Sequence, residues 1–341
     1  MTMTAALPRT MRRAARWLRT GRLRAALRLL RGPPVRQPLP PPVADTPPKD
    51  VSTHTLAPGR FVDGEFGNEA GTRPYKLYLP ERRAAGAPAL LVMLHGCTQN
   101  PDDFAAGTGM NALAEAEGML VLYPGQTQGA NRSGCWNWFQ ASDQERGSGE
   151  PAILAGMTRE VMARHGADPR RVYVAGMSAG AAMALTMVAA YPETYAAFGI
   201  HSGVPYRAAR DLHGAFALMR RGPRRDRNHD GILVRFVPGI VFHGDHDETV
   251  HPSNADAVVA QLRAIGPVAR SDLQRGQTRD GHAWSRHAYR DARGRPRIEQ
   301  WTVHGGRHAW SGGSARGTYT DPHGPDASAA MLQFFLQQTR D

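Results

Sequence analysis

The sequence predicts an α/β fold, in which helices cover both faces of a mostly parallel central sheet. Short runs rich in apolar and β-branched residues alternate along the chain with longer stretches of helical periodicity. Such alternation predicts parallel strands joined by crossover helices. The chain has 341 residues, of which 41% are apolar, so it is large enough for one sizeable core. No second globular domain is needed to account for this length.

Seven runs are typical of strands and five are typical of helices. The strands are predicted at residues 75–79, 90–94, 119–123, 172–175, 198–201, 239–242 and 298–303. The helices are predicted at residues 102–117, 150–165, 179–191, 255–265 and 327–337. Residues 284–290 and 297–303 flank a turn that contains Gly and Pro, which predicts an antiparallel hairpin.

Ser178 is the candidate nucleophile. It is the central residue of Gly176-Met-Ser-Ala-Gly180, which follows the predicted strand at 172–175 and begins an Ala- and Met-rich helix. A turn this sharp between strand and helix strains the serine backbone, and small residues two positions to either side avoid a clash. The pattern therefore predicts a serine hydroxyl displayed for attack on a substrate.

A serine needs a histidine base and a carboxylate that orients the base. The candidate acid is Asp247, which lies in the polar turn after the strand at 239–242. Asp245 is its competitor but lies closer to the end of the strand, and Glu248 is a third choice.

His308 is the candidate base among fourteen histidines. It lies in a Gly-rich loop that follows the last predicted strand, and a flexible loop suits a group that exchanges a proton with two partners. His304 still belongs to the strand, and His323 falls in a turn with Pro and Gly.

The backbone N–H groups of Cys97 and Ala179 are the candidate oxyanion hole. One such donor normally follows the nucleophile, and the second comes from the loop after an early strand. Here that loop follows residues 90–94, and Gly96 lets its backbone approach the substrate oxygen.

Taken together, these segments resemble the polyhydroxybutyrate depolymerase family of esterases over roughly residues 60–338. The motifs are LHGCTQ at 94–99, CWNWF at 135–139, RVYVAGMSAGA at 171–181, HGDHDETV at 243–250, and GRHAWSGGS at 306–314 followed by YTDPHGPDAS at 319–328. The resemblance implies an α/β-hydrolase catalytic domain, here residues 51–341, with Ser178, Asp247 and His308 as its triad. It leaves the substrate open.

Both cysteines, Cys97 and Cys135, fall in these family motifs, so a disulfide at the rim of the active site is one expectation. A reducing cytoplasm would instead keep them as thiols.

The aromatic residues Trp136, Trp138 and Trp310 are candidate walls of a substrate pocket. Core packing is the alternative for Trp136 and Trp138, and Trp310 is preferred because it lies two residues from His308.

Residues 1–50 differ in composition from the rest of the chain. They contain ten Arg and one Lys against two Asp, and so carry nine of the twelve net positive charges. Residues 9–31 are typical of a basic amphipathic helix, which can bind a membrane or a polymer granule, or can simply be solvated; a Pro-rich linker follows. The remaining residues are not strongly cationic, which argues against a nucleic-acid ligand.

Arginines interrupt every apolar stretch of this segment, so no signal peptide is evident. This favours a cytoplasmic, granule-associated protein, with an extracellular location as the alternative. Residues 226–231 match the start of a calcium-binding loop, but Val237 stands where such a loop requires a glutamate, so no metal is expected.

The sequence thus predicts a serine esterase that needs neither metal nor cofactor. The expected substrates are poly(3-hydroxybutyrate) or short hydroxyalkanoate esters. A feruloyl or acetylxylan esterase is the alternative of the same class, and a non-catalytic granule- or membrane-binding protein is the alternative of another class.

Overall fold

The computed structural model describes residues 58–82, 85–223 and 233–340. The basic N-terminal segment, the predicted boundary between residues 50 and 51, and the calcium-loop-like stretch at 226–231 lie outside these residues. Those predictions therefore stay predictions.

The described residues form twelve strands, seven α-helices and a short 3₁₀ helix at Ala141–Asp143. The strands are β1 Arg60–Asn68, β2 Gly71–Leu79, β3 Leu90–Leu94, β4 Leu120–Pro124, β5 Val172–Met177, β6 Ala197–His201, β7 Gly239–Gly244, β8 Arg270–Gln277, β9 Ala283–Arg290, β10 Pro296–Val303, β11 Trp310–Ser311 and β12 Thr320–Asp321. The helices are α1 Pro101–Thr108, α2 Met110–Glu117, α3 Gly149–His165, α4 Ala179–Ala190, α5 Leu212–Arg221, α6 Ser253–Ile265 and α7 Ala327–Leu336.

Ten of these strands form one sheet in the order β1-β2-β4-β3-β5-β6-β7-β10-β9-β8. The strands from β4 to β10 in this order pair in parallel, and antiparallel strands extend the sheet at both edges. The predicted α/β fold and the predicted hairpin, seen here as β9 and β10, are both confirmed. Because the central strands are parallel, the loops that follow them meet at one edge of the sheet.

The core lies on both faces of this sheet. Alternate residues of β3 point to opposite sides, so Leu90, Val92 and Leu94 belong to the core on the face that α3, α4 and α6 cover. Leu91 and Met93 belong to the core on the face that α1, α2 and α7 cover. Nearly every residue of α4 is buried, which explains its uniformly apolar sequence. No helix among residues 58–82, 85–223 and 233–340 is both long and apolar enough to cross a bilayer.

One predicted helix is divided in the structure. The helix expected at 102–117 is two helices, because Gly109 adopts a left-handed conformation with φ 63° and ends α1 there. The same residue begins α2, so the chain changes direction between them.

Candidate active site

Ser178 lies in the turn between β5 and α4 and has φ 54° and ψ −118°. This is a strained conformation for a residue with a side chain. Glycine is required on both sides, because a Cβ at Gly180 would overlap the Leu94 carbonyl oxygen, and one at Gly176 would overlap the Gly180 backbone. The close approach of β3, β5 and α4 therefore forms the turn that presents Ser178.

Asp247 and His308 are directly hydrogen bonded, with 2.7 Å between His308 Nδ1 and Asp247 Oδ2. The other carboxylate oxygen, Oδ1, accepts from the N–H groups of Thr249 at 2.9 Å and Val250 at 2.8 Å. His243 Nε2 lies 3.4 Å from Asp247 Oδ2 and donates mainly to the Val250 carbonyl at 2.8 Å. The acid is thus held by its own loop and turned toward His308.

These contacts control the charge of Asp247. Burial raises the pKa of the carboxyl group, but hydrogen bonds from His243 and His308, the charge of His308 and the Val250 N–H outweigh burial and hold the pKa well below its ordinary range. Asp247 is therefore an anion at neutral pH. It keeps the proton of His308 on Nδ1 and leaves Nε2 available as a base.

The competing residues Asp245 and His304 form a second acid–histidine pair. His304 Nδ1 lies 2.8 Å from Asp245 Oδ2, and its Nε2 lies 2.8 Å from the Ser285 hydroxyl. The side chains of this pair are 36% and 42% exposed, against 0% for Asp247 and 13% for His308. Ser285 lies in the middle of β9, where its backbone pairs with the strands on both sides. Among the described residues, this second constellation lacks a strained turn and is more exposed, so Asp247 and His308 are the stronger candidates for acid and base.

His201, at the end of β6, connects the nucleophile to the loop of the base. Its carbonyl accepts from the Ser178 N–H at 2.9 Å, and its Nε2 accepts from the Ser311 N–H at 3.0 Å. The ring is stacked between Phe242 and Trp310. Burial, together with nearby His243 and His308, lowers the pKa of His201 to about 3. A neutral ring is required, because Nε2 accepts a hydrogen bond only when it carries no proton.

The pH dependence of stability offers a test of this contact. The folded pKa of His201 is below the unfolded value of about 6.5, so its contribution is complete above pH 6.5 and is lost as the pH falls toward 3. We expect His201→Gln to make the fall in the free energy of unfolding between pH 6 and 4 shallower, by up to about 1.4 kcal/mol per pH unit. Urea unfolding at several pH values measures this slope. His213→Gln, at an exposed position of α5, is the control, and equal slopes for all three proteins would contradict the assignment.

The predicted oxyanion donors lie beside Ser178. A Cβ built on Gly96 would be 3.6 Å from Ser178 Cβ, which shows how closely the loop after β3 approaches the nucleophile. Within the part of the chain that the structure describes, the N–H groups of Cys97 and Ala179 donate to no protein acceptor. His95 fixes this loop, because its ring bonds the Gly96 carbonyl at 2.8 Å and accepts from the Gln126 N–H at 3.1 Å.

A disulfide joins Cys97 to Cys135 and so links the oxyanion loop to the loop at 135–139. Beneath that loop lies Glu150, whose carboxylate accepts from the Asn137 backbone N–H at 2.7 Å and from Asn137 Nδ2 at 2.9 Å. Gln126 donates to the same carboxylate and to the Cys135 carbonyl. Burial raises the pKa of Glu150, and these donors partly offset the effect. A buried polar network of Glu150, Asn137 and Gln126 therefore supports the loop at 135–139, at the rim of the site.

The expectation that three tryptophans line a pocket requires correction. Trp136 and Trp310 are 0% and 1% exposed, and Trp138 is also buried. Trp310 donates from Nε1 to Ser328 Oγ at 3.0 Å and packs edge-on against Phe104. All three rings belong to the hydrophobic core.

Several residues of the site have no clear signal in the sequence. His201 and His243 both lie at the ends of predicted strands, which is the one hint that they would reach this edge. Tyr319 is 47% exposed, and its hydroxyl lies 3.0 Å from Thr98 Oγ1, next to the oxyanion loop.

A cavity of about 640 Å³ also opens beside the acid, and its lining is polar and charged: Arg220, Asp245, His246, Asp247, Glu248, His251, Pro252 and Arg307. An apolar acyl chain would find little to contact there.

Comparison with known proteins agrees with this geometry. The family model described as "Esterase PHB depolymerase" matches residues 73–283. Poly(3-hydroxyalkanoate) depolymerase C of Paucimonas lemoignei is 34% identical over 270 residues, which are 75% of this chain and 61% of the relative. A probable acetylxylan esterase A of Aspergillus fumigatus is 29% identical over 225 residues, which are 61% of this chain and 59% of that protein. The chain thus spans about three fifths of the length of these curated relatives.

The fold is shared with a solved esterase. The structure of acetyl xylan esterase from Aspergillus awamori has a TM-score of 0.62 to this chain, with 18% identity and coverage of 82% of this chain and 99% of that one. Identity this low establishes the fold alone. The structural similarity confirms the α/β-hydrolase fold that the resemblance implies.

Proposed function

Because the chain belongs to the esterase family of polyhydroxybutyrate depolymerases, we propose that it hydrolyses carboxylic esters through an acyl-enzyme on Ser178. The observation that carries this proposal is the buried Asp247–His308 pair at the same sheet edge as the strained Ser178 turn. Free N–H groups of Cys97 and Ala179 beside that turn support it further.

The mechanism follows from these contacts. His308 Nε2 takes the hydroxyl proton of Ser178 while Oγ bonds to the ester carbonyl carbon, and the carbonyl oxygen becomes an oxyanion that the Cys97 and Ala179 N–H groups bind. The tetrahedral intermediate collapses as His308 gives its proton to the leaving alcohol. Water then attacks the acyl-enzyme with His308 as base, and release of the acid regenerates Ser178. Asp247 stabilises the imidazolium in both steps.

We propose that the substrate is poly(3-hydroxybutyrate) or a short hydroxyalkanoate ester. The support is the longer stretch of this chain that aligns with the poly(3-hydroxyalkanoate) depolymerase, 270 residues against 225 for the acetylxylan esterase. An acetylxylan or feruloyl esterase is the second candidate, and the 29% identity with the probable acetylxylan esterase A of Aspergillus fumigatus favours it.

We also propose that residues 9–31 dock the enzyme on the surface of its polymer substrate. Their arginines and apolar residues recur at the spacing of a basic amphipathic helix.

The Cys97–Cys135 disulfide favours an oxidising compartment. This supports the extracellular alternative over the cytoplasmic one, and solid polymer rather than a native granule would then be the surface.

The test is product release by the full chain and by a variant that lacks residues 1–50. Amorphous poly(3-hydroxybutyrate) granules and acetylated xylan are the two substrates, with 3-hydroxybutyrate and acetate measured as products. We expect 3-hydroxybutyrate release by the full chain and slower release without the tail. Acetate release without 3-hydroxybutyrate would assign the second candidate, and hydrolysis of neither polymer nor of p-nitrophenyl butyrate would overturn the proposed function.

A further inference from the structure

Tyr319 is one of five large hydrophobic side chains of the described residues that remain substantially exposed, together with Leu212, Phe216, Val234 and Leu273. It differs from the other four in position, because it lies between β11 and β12, in the segment that follows the loop of His308, and its hydroxyl contacts Thr98 beside the oxyanion loop. Its ring thus lies close to the proposed chemistry, whereas the three tryptophans expected there are buried.

The hydroxyl of Tyr319 contacts the oxyanion loop through Thr98. Thr98 Oγ1 donates its own proton to the Cys97 carbonyl at 2.6 Å. In the 3.0 Å contact between the two hydroxyls, Tyr319 is therefore the donor and Thr98 the acceptor. The aromatic ring is held one residue away from Cys97, whose N–H is the proposed oxyanion donor.

The segment that carries Tyr319 is attached to the neighbouring oxyanion loop and α1 by other contacts as well. The neighbouring Thr318 donates to Asp103 through its backbone N–H at 2.8 Å and through its hydroxyl at 2.6 Å. Its carbonyl also accepts from Gln99 Nε2 at 3.1 Å. Because Thr318 already joins the two loops, the Tyr319 ring is not needed for that role.

The backbone of Tyr319 is strained, with φ 52° in the left-handed region. Its carbonyl accepts from the Trp310 N–H at 2.6 Å, and pairing of β11 with β12 holds the segment in this conformation. Strain of this kind costs free energy and is concentrated at functional sites. Here the strain turns a large ring outward, at the rim formed by Thr98 and the Cys97–Cys135 disulfide.

We propose that the exposed face of Tyr319 is a substrate-binding surface that covers the apolar group attached to the ester carbonyl. It selects aliphatic acyl groups longer than acetyl, such as butyryl or a hydroxyalkanoate repeat. A flat ring next to the carbonyl site removes methylene and methyl groups from water, and an acetyl group is too short to gain from this contact. The inference rests on the proposed esterase function and specifies its substrate preference.

The experiment compares kcat and KM of the full-length wild type, Tyr319→Phe and Tyr319→Ala on p-nitrophenyl acetate and p-nitrophenyl butyrate. We expect Tyr319→Ala to raise KM for the butyrate about tenfold, as for lost apolar contacts in a pocket, with acetate changed by less than about twofold. Tyr319→Phe keeps the ring and is expected to retain the wild-type preference. Thermal unfolding of each variant establishes that it is folded.

Three results would overturn the proposal. An unchanged butyrate KM in Tyr319→Ala would mean that the ring does not bind the acyl group. An equal loss of kcat on both esters would show that the ring positions the oxyanion loop instead. A loss in Tyr319→Phe as large as in Tyr319→Ala would assign the effect to the hydroxyl. Failure of the proposed function itself is separate, because the wild type would then hydrolyse neither ester.

Discussion

Ser178→Ala is expected to lower kcat on p-nitrophenyl butyrate by about 10⁶-fold, as removal of a triad nucleophile does elsewhere. Without Oγ no acyl-enzyme forms, and His308 has no hydroxyl to deprotonate. The oxyanion donors and the binding surface remain, so a small rate above that of water is expected to persist. Initial rates at saturating ester measure the loss.

Ser285→Ala is the matched control, because Ser285 also contacts a histidine that is paired with an aspartate. We expect its kcat to stay within about threefold of the wild type, since Ser285 lies in an extended strand whose backbone is paired on both sides. Retained hydrolysis in Ser178→Ala, or a large loss in Ser285→Ala, would exchange the roles of the two serines.

The central sheet could be predicted from the sequence, because its strands are buried on both faces. Residues 90–94 and 172–175 are continuous apolar runs, and both fall in strands of the structure, β3 and β5. A strand that is buried on both faces has a continuous apolar sequence, so the sequence alone reveals such a strand. The crossover helices between them follow from the same alternation.

The sheet edges could not be predicted in this way. β1 at Arg60–Asn68 and β8 at Arg270–Gln277 are largely exposed, and their sequences contain Gly, Asp and Arg rather than β-branched runs. Pairing with the neighbouring strand, β2 for β1 and β9 for β8, stabilises them. Helix α5 is absent from the sequence prediction for a related reason, since few of its residues are buried.

Residue spacing alone does not decide whether Asp245 or Asp247 is the acid. Both aspartates follow β7, and each has a histidine partner in the structure. The sequence places both near the sheet edge but does not encode the path of the loop. That path gives Asp247 the Thr249 and Val250 N–H groups and full burial, while Asp245 remains at the surface.

The aromatic residues illustrate the opposite case, in which proximity in sequence misleads. Trp310 lies two residues from His308, yet its ring packs on His201 and Phe104, away from solvent. Tyr319 is eleven residues from His308 and reaches the rim through Thr98. Which ring faces a substrate depends on the β11–β12 pairing, and neither strand, at two residues each, is long enough to leave a periodic pattern.

Asp247→Asn is expected to lower kcat by about 10⁴-fold, as for the corresponding change in other triads. The asparagine amide would present N–H donors to His308, and the ring would then have to accept at Nδ1 and carry its proton on Nε2. In that tautomer His308 cannot take the Ser178 proton. The pH–rate profile would also change, because hydroxide rather than His308 would assist the attack at high pH.

Asp245→Asn separates this effect from a general disturbance of the loop. The substituted amide still offers its Oδ1 to the Gly305 N–H, which lies 2.7 Å from Asp245 Oδ1 in the wild type, and the exposed pair with His304 is worth little in water. We therefore expect kcat within about threefold of the wild type and a similar thermal unfolding midpoint. If the two asparagine variants lost activity equally, the buried position of Asp247 would not be what distinguishes it, and the base would have to be reassigned to His304.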